Sequence, residues 1–411
     1  MTMTTSENSS ITAPFDGVRV VEIAAWTFVP GAGAILADLG ADVIKVEPPT
    51  GDPQRNLQNA LNRKEGAPNP FLEVPNRGKR SITLDLTTAD GHDLLLKLVE
   101  KADVVLTSYL PAQRTKLRVD VDDLLAVNPK LVYVRGTGWG SKGDKVNVGG
   151  FDAAAAWSAG GTMHKLTPPG ADRPTMQPAA YYDLQGSSAI AGAVGMALFR
   201  RERIGKGGVV DVSLLNTGMW PLSPDLTAAP YIGEIPRQDR TDAPNPIVNA
   251  YRTKDDRWIN LVCLQAQRFW GELCALIDRV DLIVDERFAD DMGRYTNRHD
   301  CIAELDKAFA ERTLDEWRHI LAEFSGVWAA AATVAELHDD KQVLDNGFLP
   351  EVPTEDGSNF RVVAPPYHFD EHPTAPRRPA PKLGQHTEEI LLEAGLDPEQ
   401  ISDHRERGVL G

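Results

Sequence analysis

The chain has 411 residues, of which 42% are hydrophobic and 25% are charged, and its formal net charge is −16 at pH 7. This size allows two domains or one large discontinuous domain, and the composition is typical of a globular protein. The acidic excess argues against nucleic acid or an anionic membrane surface as the main partner. No apolar run reaches the roughly 18 residues of a membrane-spanning helix, and residues 1–14 lack the features of a signal peptide. We therefore expect a cytoplasmic protein with a disordered leader at 1–14.

The leader is followed by a predicted strand, helix and strand. Residues 18–25 are apolar enough for a buried strand, residues 30–40 have proline near the start and glycine at the end of a predicted helix, and residues 42–47 predict a second strand. Such a βαβ unit indicates a parallel sheet. The glycines of this helix do not form a dinucleotide-binding fingerprint, because Leu36 occupies the place of the third glycine.

A basic cluster follows a loop that is predicted at 48–75. It consists of Asn76, Arg77, Lys79 and Arg80. In an acidic protein such a cluster suits a bound phosphate, and a solvated loop is the alternative. Further predicted elements are a helix at 90–101, a strand at 103–108, a helix at 121–127, and strands at 131–136 and 209–215.

Two later stretches carry candidate site residues. Residues 137–150 contain five glycines and follow a predicted parallel strand, which is where α/β proteins bind ligands; Asp152 comes next, in the first turn of a helix. Asp183 precedes a run of small residues at 186–195, which would let a helix pack closely against a neighbour. We expect Asp183 at the N-cap of this helix, where free N–H groups and the helix dipole favour its ionised form. From these residues alone, Asp183 is either a nucleophile or base or an ordinary helix cap.

Proline-rich residues 221–246 separate this region from a second group of elements. A hairpin at 251–264 and helices at 266–278, 299–311 and 314–323 predict a smaller α+β domain. Residues 350–383 are expected to form an extended path that leads to two short helices at 387–394 and 398–406.

Seven stretches carry a resemblance to a known family. They are residues 15–49, 76–86, 102–112, 150–152, 183–215, 251–259 and 379–396. They include the sequences VEIAAWTFVPGAGAILADLGADVIKVEPP, NRGKRSITLDL and PAPKLGQHTEEILLEAGL. In this order they resemble the family III CoA-transferases, the CaiB/BaiF family that contains formyl-CoA transferase, carnitine CoA-transferase and α-methylacyl-CoA racemase.

The resemblance implies an α/β fold with a Rossmann-like large domain formed by both chain ends, a smaller α+β domain between them, and an interlocked homodimer. We expect the N-terminal part of the large domain at 15–224, a linker at 225–245 and the small domain at 246–335. Residues 336–411 would then return to the large domain and end in its C-terminal helices.

The resemblance also implies roles for single residues. Asp183 matches the nucleophile of the family, and Asp152 matches an acidic residue that assists it. The implied CoA contacts are Trp26, Thr27, Phe28, Arg80, Leu84, Asp85, Leu86, Thr87, Ser108, Tyr109, Leu110, Lys116, Gly149, Gly150 and Phe151. Acyl-CoA and a carboxylic acid acceptor would be the substrates, and we expect neither a tightly bound cofactor nor a metal.

Some positions depart from the family pattern. Phe151 stands where racemases carry a histidine, so the resemblance favours transfer over racemisation. Pro48 replaces a basic residue that contacts the CoA phosphates, a role that Arg55 or Arg80 would have to take. Thr27 replaces a glutamine of formyl-CoA transferase, and the tetraglycine segment of that enzyme is absent before Tyr251. These departures argue against formyl or oxalyl groups and leave the acyl group open.

The expected reaction moves CoA from an acyl-CoA thioester to a carboxylic acid through an aspartyl anhydride and an aspartyl-CoA thioester on Asp183. Backbone N–H groups of the 136–150 loop and of a turn at 186 are expected to stabilise the oxyanion. An acyl-CoA racemase or isomerase is the alternative within the family. A non-catalytic CoA-binding protein is the alternative outside the enzymes.

Overall fold

The computed structural model describes residues 13–59, 67–354, 357–370 and 374–411. These residues form two compact units. The first contains the described residues of Met1–Met163, Met176–Glu234 and Lys341–Gly411, and the second contains His164–Thr175 and Ile235–Asp340. The predicted leader falls outside the described residues except for its last two positions. The domain boundaries expected from the sequence stay predictions.

The first unit is built on a parallel sheet. Its strands are β1 (Arg19–Ile23), β2 (Asp42–Glu47), β3 (Arg80–Thr83), β4 (Val104–Thr107), β5 (Val132–Thr137) and β6 (Gly208–Ser213). They lie in the order β3-β2-β1-β4-β5-β6, and every neighbouring pair is parallel. The prediction of an α/β fold with a parallel sheet is confirmed. Because the order reverses between β1 and β4, the crevice where open α/β sheets bind ligands lies at the carboxyl ends of these two strands.

Helices pack around the sheet of the first unit, and further helices occur in the second unit. The described helices are α1 (Phe28–Asp38), α2 (Pro70–Asn76), α3 (Ala89–Glu100), α4 (Pro111–Leu117), α5 (Val121–Val127), α6 (Thr162–Leu166), α7 (Tyr181–Ile204), α8 (Leu214–Met219), α9 (Ser223–Ile232), α10 (Ala266–Leu276), α11 (Asp281–Val284), α12 (Asp291–Thr296), α13 (Arg298–Phe309), α14 (Leu314–Leu321), α15 (Lys341–Asp345), α16 (Thr387–Glu393) and α17 (Pro398–Glu406). The loop predicted at 48–75 is partly wrong, because α2 and a 3-10 helix at Pro53–Asn59 lie within it.

None of the described helices is long and apolar enough to cross a membrane.

Successive strand residues face two separate cores. Val20 and Val104 pack with α1 and α7 on one face of the sheet. Val21 and Val105 pack with α3 on the other face, in a core that also holds Leu391 of α16. The C-terminal segment therefore completes the same unit in which the chain begins, and it does so by burying apolar side chains.

Close packing of α1 against α7 depends on small residues. Ser187 Oγ donates a hydrogen bond of 2.7 Å to the carbonyl oxygen of Phe28. A Cβ atom added to Gly31 would lie 2.3 Å from Ser187 Oγ. The ring of Phe28 is held between two glycines, because a Cβ on Gly186 would lie 2.3 Å from its Cε2 and one on Gly136 would lie 3.0 Å from its Cε1. The prediction that the small residues after Asp183 allow close helix packing is confirmed.

Replacing Gly186 by valine is expected to lower the free energy of unfolding by about 1–3 kcal/mol, because the added carbons overlap a ring that has no room to move. Gly192→Ala is a matched control on the same helix, since its Cβ would meet only Met196 Cε at 4.0 Å. Alanine there should be neutral or stabilise the helix by up to about 1 kcal/mol. Urea denaturation measures both effects, and a Gly186→Val variant as stable as the parent protein would contradict this packing.

The second unit has its own sheet and core. The strands β7 (Val248–Arg252), β8 (Trp258–Val262) and β9 (Trp328–Ala330) pair antiparallel in that order. The turn between β7 and β8 places Asp256 in the left-handed region, with φ +60°. The hairpin and the three helices predicted here are confirmed, the helices as α10, α13 and α14. Two further strands, β10 (Glu351–Pro353) and β11 (Asn359–Arg361), form a separate ribbon in the first unit.

Candidate active site

Three adjoining cavities lie along the edge of the parallel sheet at which its strands end. The Asp183 cavity, about 180 Å³, is lined by residues beyond β1, by residues at or beyond the ends of β4 and β5, and by Asp183. The middle cavity, about 360 Å³, is lined by residues around the ends of β1, β2 and β4. The Lys116 cavity, about 220 Å³, is lined by residues around the ends of β2 and β3 and by Lys116 of α4. Tyr109 lines all three, so they form one groove across the strand ends.

Asp183 lies in the first turn of α7 and is 9% exposed. The prediction that Asp183 is the N-cap is wrong, because the cap position is Ala180, whose φ of +57° places it in the left-handed region. Asp152, from a different segment, binds the first turn instead. Its Oδ2 accepts hydrogen bonds from the N–H groups of Tyr182 at 3.1 Å and of Asp183 at 3.4 Å. Two carboxylates therefore meet at the positive end of one long helix.

The electrostatic surroundings of Asp183 disfavour its charged form. Burial of the carboxyl group, with a smaller contribution from the negative charge of Asp152, raises the pKa of Asp183 to about 7. No described residue donates a hydrogen bond to the carboxylate oxygens of Asp183. A poorly solvated carboxylate that is not engaged by donors is suited to act as a nucleophile or base.

A buried ionic network lies beneath the groove. Lys45 Nζ is 3.2 Å from Glu22 Oε1 and 2.9 Å from Asp52 Oδ2, and its side chain is fully buried. Asp52 Oδ1 accepts the N–H of Trp26 at 3.3 Å and that of Gln54 at 3.0 Å. Trp26 has φ +70°, a conformation that costs a residue other than glycine on the order of 1–3 kcal/mol. The network thus fixes the backbone of a residue that lines two of the cavities.

Sequence reasoning missed this network. The available signal was the presence of charged residues inside otherwise apolar strands, Glu22 in β1 and Lys45 in β2. A charge that is buried in a central strand requires a partner, because an isolated buried ion is very costly. The sequence did not reveal that Asp52, in the loop after β2, supplies one of these partners.

Comparison with known proteins identifies the family. The family model described as CoA-transferase family III matches residues 15–387. The chain belongs to CoA-transferase family III. The resemblance inferred from the seven stretches is thereby confirmed, and the chain is an enzyme that transfers CoA.

Several characterised relatives of this CoA-transferase match over nearly their full length. (R)-2-Hydroxy-4-methylpentanoate CoA-transferase of Clostridioides difficile is 30% identical over 96% of this chain and 99% of that protein. Cinnamoyl-CoA:phenyllactate CoA-transferase of Clostridium sporogenes is 30% identical over 95% of both chains. The crystal structure of a CAIB/BAIF family protein from Brucella suis is 30% identical, covers 93% of this chain and 99% of that chain, and superimposes with a TM-score of 0.80.

Most residues with predicted CoA contacts in the transferase line the groove. Those in the Asp183 cavity are Trp26, Phe28, Ser108, Tyr109, Leu110, Gly149, Gly150 and Phe151. Those in the Lys116 cavity are Leu84, Asp85, Leu86, Thr87 and Lys116, again with Tyr109. Thr27 lines none of the three cavities, because it is buried behind them, where its Oγ1 accepts a hydrogen bond of 2.9 Å from Gln54 Nε2.

The basic cluster at 76–80 does not form the expected phosphate site. Arg80 lies at the start of β3, at the opposite edge of the sheet, and its guanidinium pairs with Asp42, Glu389 and Glu393 at 2.6, 2.9 and 2.8 Å. Arg80 lines none of the three cavities, and these ion pairs oppose its predicted contact with CoA. Within the same cluster, Arg77 pairs with Asp38, and Lys79 pairs with Glu22. All three cations are buried and neutralised within the fold.

The other substitute for Pro48 is also occupied, and one further expectation changes. Arg55 forms a bidentate pair with Glu47, at 2.8 and 2.7 Å. The turn expected at Gly186 is wrong, because this residue lies inside α7. Among the described residues, no three His, Cys, Asp or Glu side chains are grouped closely enough to hold a metal ion.

Proposed function

We propose that this transferase moves CoA from an acyl-CoA thioester to a carboxylic acid, with Asp183 as the nucleophile. The observation that carries the proposal is a buried, sparsely hydrogen-bonded carboxylate at a groove along the ends of a parallel sheet. Two of the relatives are named for CoA transfer among hydroxy or unsaturated carboxylic acids, which supports the same reaction class.

The reaction proceeds in four displacements at acyl carbons. The Asp183 carboxylate attacks the thioester carbonyl, the C–S bond breaks, and CoA leaves as a thiolate with the electron pair. The thiolate attacks the aspartyl carbonyl of the mixed anhydride and expels the donor acid as a carboxylate. The acceptor carboxylate then displaces CoA from the aspartyl thioester, and the thiolate finally attacks the acceptor carbonyl and releases Asp183. No proton is consumed or produced, so no separate acid or base is required.

Backbone N–H groups near Asp183 are proposed to stabilise the oxyanion that forms at each step. Gly138, Gly149 and Gly150 line the Asp183 cavity, and none of their N–H groups donates to another residue in the described part of the chain. Each such donor is worth roughly 3–4 kcal/mol in other acyl-transfer enzymes. Asp152 is proposed to act through position, because its carboxylate binds the N–H groups of the turn that carries Asp183.

The groove suggests a course for the CoA molecule. We propose that the thiol end reaches Asp183 past Trp26 and Ser108, which line both the Asp183 and the middle cavity. The nucleotide end would then lie in the Lys116 cavity, where the exposed Lys116 supplies a cation for phosphate. CoA acts here as a substrate that enters and leaves.

A homodimer is also proposed, in the interlocked arrangement that the family resemblance implies. Exposed large apolar side chains occur on α7 and around α9, namely Met196, Phe199, Trp220, Tyr231 and Ile232. Exposed large apolar side chains that group together mark interaction sites. Light scattering should give twice the chain mass, and a monomer at micromolar concentration would contradict the dimer.

The pH dependence of the reaction is expected to follow the carboxyl group of Asp183. Only the ionised form attacks a thioester, so kcat/KM should rise with pH and level off above about 7. Asp152→Asn keeps an oxygen that can accept hydrogen bonds from the N–H groups of α7 but removes the negative charge. This should move the midpoint of the pH profile of kcat/KM to lower pH. Burial, the larger cause of the shift, remains in that variant. An unchanged midpoint would show that the two carboxylates are not coupled.

Trapping the covalent intermediates tests the proposal directly. The protein is incubated with acyl-CoA thioesters and then treated with hydroxylamine, which converts an activated aspartate into a hydroxamate. The expected result is this mass change on the tryptic peptide that contains Asp183, and its loss in Asp183→Asn. If no adduct forms while α-proton exchange proceeds without an acceptor acid, the racemase alternative replaces transfer. If neither occurs although CoA binds, Asp183 carries no covalent intermediate and the proposed mechanism is wrong.

A further inference from the structure

We propose that the Asp183 cavity selects acyl groups that are apolar and uncharged at their far end, such as short aryl-alkyl or branched aliphatic groups, and rejects acyl groups with a second carboxylate. This inference rests on the proposed function, because it assigns a substrate class to the same site. It concerns the part of the cavity beyond Trp26, away from the proposed CoA path.

The lining of that part is apolar. Val146, Phe151 and Leu214 line the Asp183 cavity and do not line the middle cavity. Phe151 is 57% exposed and meets Trp26, 38% exposed, edge to face with ring centroids 5.4 Å apart. Two adjacent rings exposed at a cavity offer a surface that an apolar ligand would bury. Burying such a ligand gains about 25 cal/mol per Å² of apolar area.

The charges in the cavity also disfavour an acyl group with a second carboxylate. Among the described residues that line it, Asp183 is the sole carboxylate, and none is Lys, Arg or His. Asp152 lies next to Asp183 and already contributes to its raised pKa. The far carboxylate of a dicarboxylic acyl group would therefore lose solvent and enter a negative field with no cation in the cavity lining to pair with. Its binding would be disfavoured both by desolvation and by like-charge repulsion.

Cavity volume sets the size of the acyl group. The cavity holds about 180 Å³, and an apolar cavity of about 150 Å³ is known to bind benzene. Because the thiol end of CoA enters the same cavity, the acyl group beside Asp183 is limited to at most a single six-membered ring or a branched chain of similar volume. Fused ring systems and long unbranched chains would have to extend out of the cavity.

The test compares two donors that differ in the charge of their far end with a third donor that carries an apolar ring. Initial rates of CoA transfer to one common acceptor acid are measured for glutaryl-CoA, its terminal methyl ester and 3-phenylpropanoyl-CoA. We expect kcat/KM for 3-phenylpropanoyl-CoA to exceed that for glutaryl-CoA at least 50-fold, and the methyl ester to recover at least 10-fold over glutaryl-CoA. Equal or faster transfer from glutaryl-CoA would overturn the inference and leave the proposed function intact. Failure of every donor, with no adduct on Asp183, would instead overturn the proposed function.

Two variants of Phe151 test whether its ring selects the acyl group. Because this ring is mostly exposed, neither Phe151→Ala nor Phe151→Lys should affect folding. Phe151→Ala is expected to lower the ratio of kcat/KM for 3-phenylpropanoyl-CoA to kcat/KM for acetyl-CoA about 10-fold or more. A loss of CoA binding, which both donors share, cancels in this ratio. Phe151→Lys should raise the ratio of glutaryl-CoA to 3-phenylpropanoyl-CoA at least 10-fold by supplying a cation. Val284→Ala, an exposed apolar position in the second unit, is the control and should change neither ratio. Unchanged ratios in both Phe151 variants would show that Phe151 does not determine specificity.

Discussion

A variant with asparagine at position 183 is expected to lose CoA transfer by at least about 10⁴-fold in kcat, as removal of a nucleophile does in other acyl-transfer enzymes. Asparagine has almost the same shape as aspartate, so the groove should keep its form. Its amide cannot form an anhydride with the acyl group, however, and no nearby carboxylate replaces it, because Asp152 is already bound to the N–H groups of α7. Steady-state transfer rates measure the loss. A variant that retained more than a few per cent of the activity would rule out Asp183 as the nucleophile.

The same substitution is expected to stabilise the folded protein, in a way that depends on pH. The pKa of Asp183 is raised from its ordinary value of 3.8 to about 7 in the folded state. The destabilisation by its charge is therefore absent below the unfolded pKa, grows between the two values and is complete above the folded pKa. Asparagine carries no such penalty, so its advantage in free energy of unfolding should grow by about 2–3 kcal/mol from pH 5 to pH 8.

Urea denaturation at the two pH values separates this effect from a general gain in stability. Asp172→Asn is the matched control, because the side chain of Asp172 is exposed. Its stability difference should be small and should not change with pH. An advantage of Asp183→Asn that was equal at pH 5 and pH 8 would show that the charge of Asp183 does not oppose folding. Loss of activity together with a gain of stability at high pH is the combination expected of a buried catalytic carboxylate.

The strands and helices of the first unit were largely readable from local patterns. Local patterns of apolar and polar residues predicted β2 at Asp42–Glu47 and α5 at Val121–Val127 with their observed bounds. These patterns reflect contacts within a few residues along the chain. The strand order and the placement of Leu391 against Val21 depend instead on contacts between distant segments, which no local pattern contains.

The absence of long-range contacts from local patterns also explains which site residues could be predicted. Asp183 became a candidate because an aspartate before a run of small residues is itself a local signal, and the family resemblance made it the predicted nucleophile. The prediction that Asp183 caps α7 was wrong because the carboxylate that binds the start of this helix belongs to Asp152, thirty residues before Tyr182 in the chain. The ion pairs of Arg80 were not predicted, because its partners Glu389 and Glu393 are more than three hundred residues away. A charged side chain in a sequence shows that a partner is needed but does not identify the partner.

Replacing Lys45 by methionine is expected to lower the free energy of unfolding by about 3–5 kcal/mol, the usual cost of removing one member of a buried ion pair. Burial opposes the charge of this ammonium group, but the carboxylates of Glu22, Asp52 and Glu47 together hold the pKa of Lys45 above its ordinary value. Methionine fills a similar volume and leaves Asp52 buried without a cation. Urea denaturation measures the loss, and Lys97→Met, at an exposed position of α3, should change stability by less than about 0.5 kcal/mol.

A second substitution identifies what the network does for the reaction. The double variant Lys45→Met/Asp52→Asn no longer contains the unpaired charge of Asp52. The asparagine oxygen can still accept hydrogen bonds from the N–H groups of Trp26 and Gln54, which Asp52 Oδ1 accepts in the parent protein. We expect this pair to regain at least about 2 kcal/mol over the single variant, since the two positions are coupled. If the KM for acyl-CoA also returns to the parent value, the network serves the reaction by holding the strained backbone of Trp26 at the groove. A KM that stays high in the stable double variant would mean that the charges themselves, and not the position of Trp26, govern the binding of acyl-CoA.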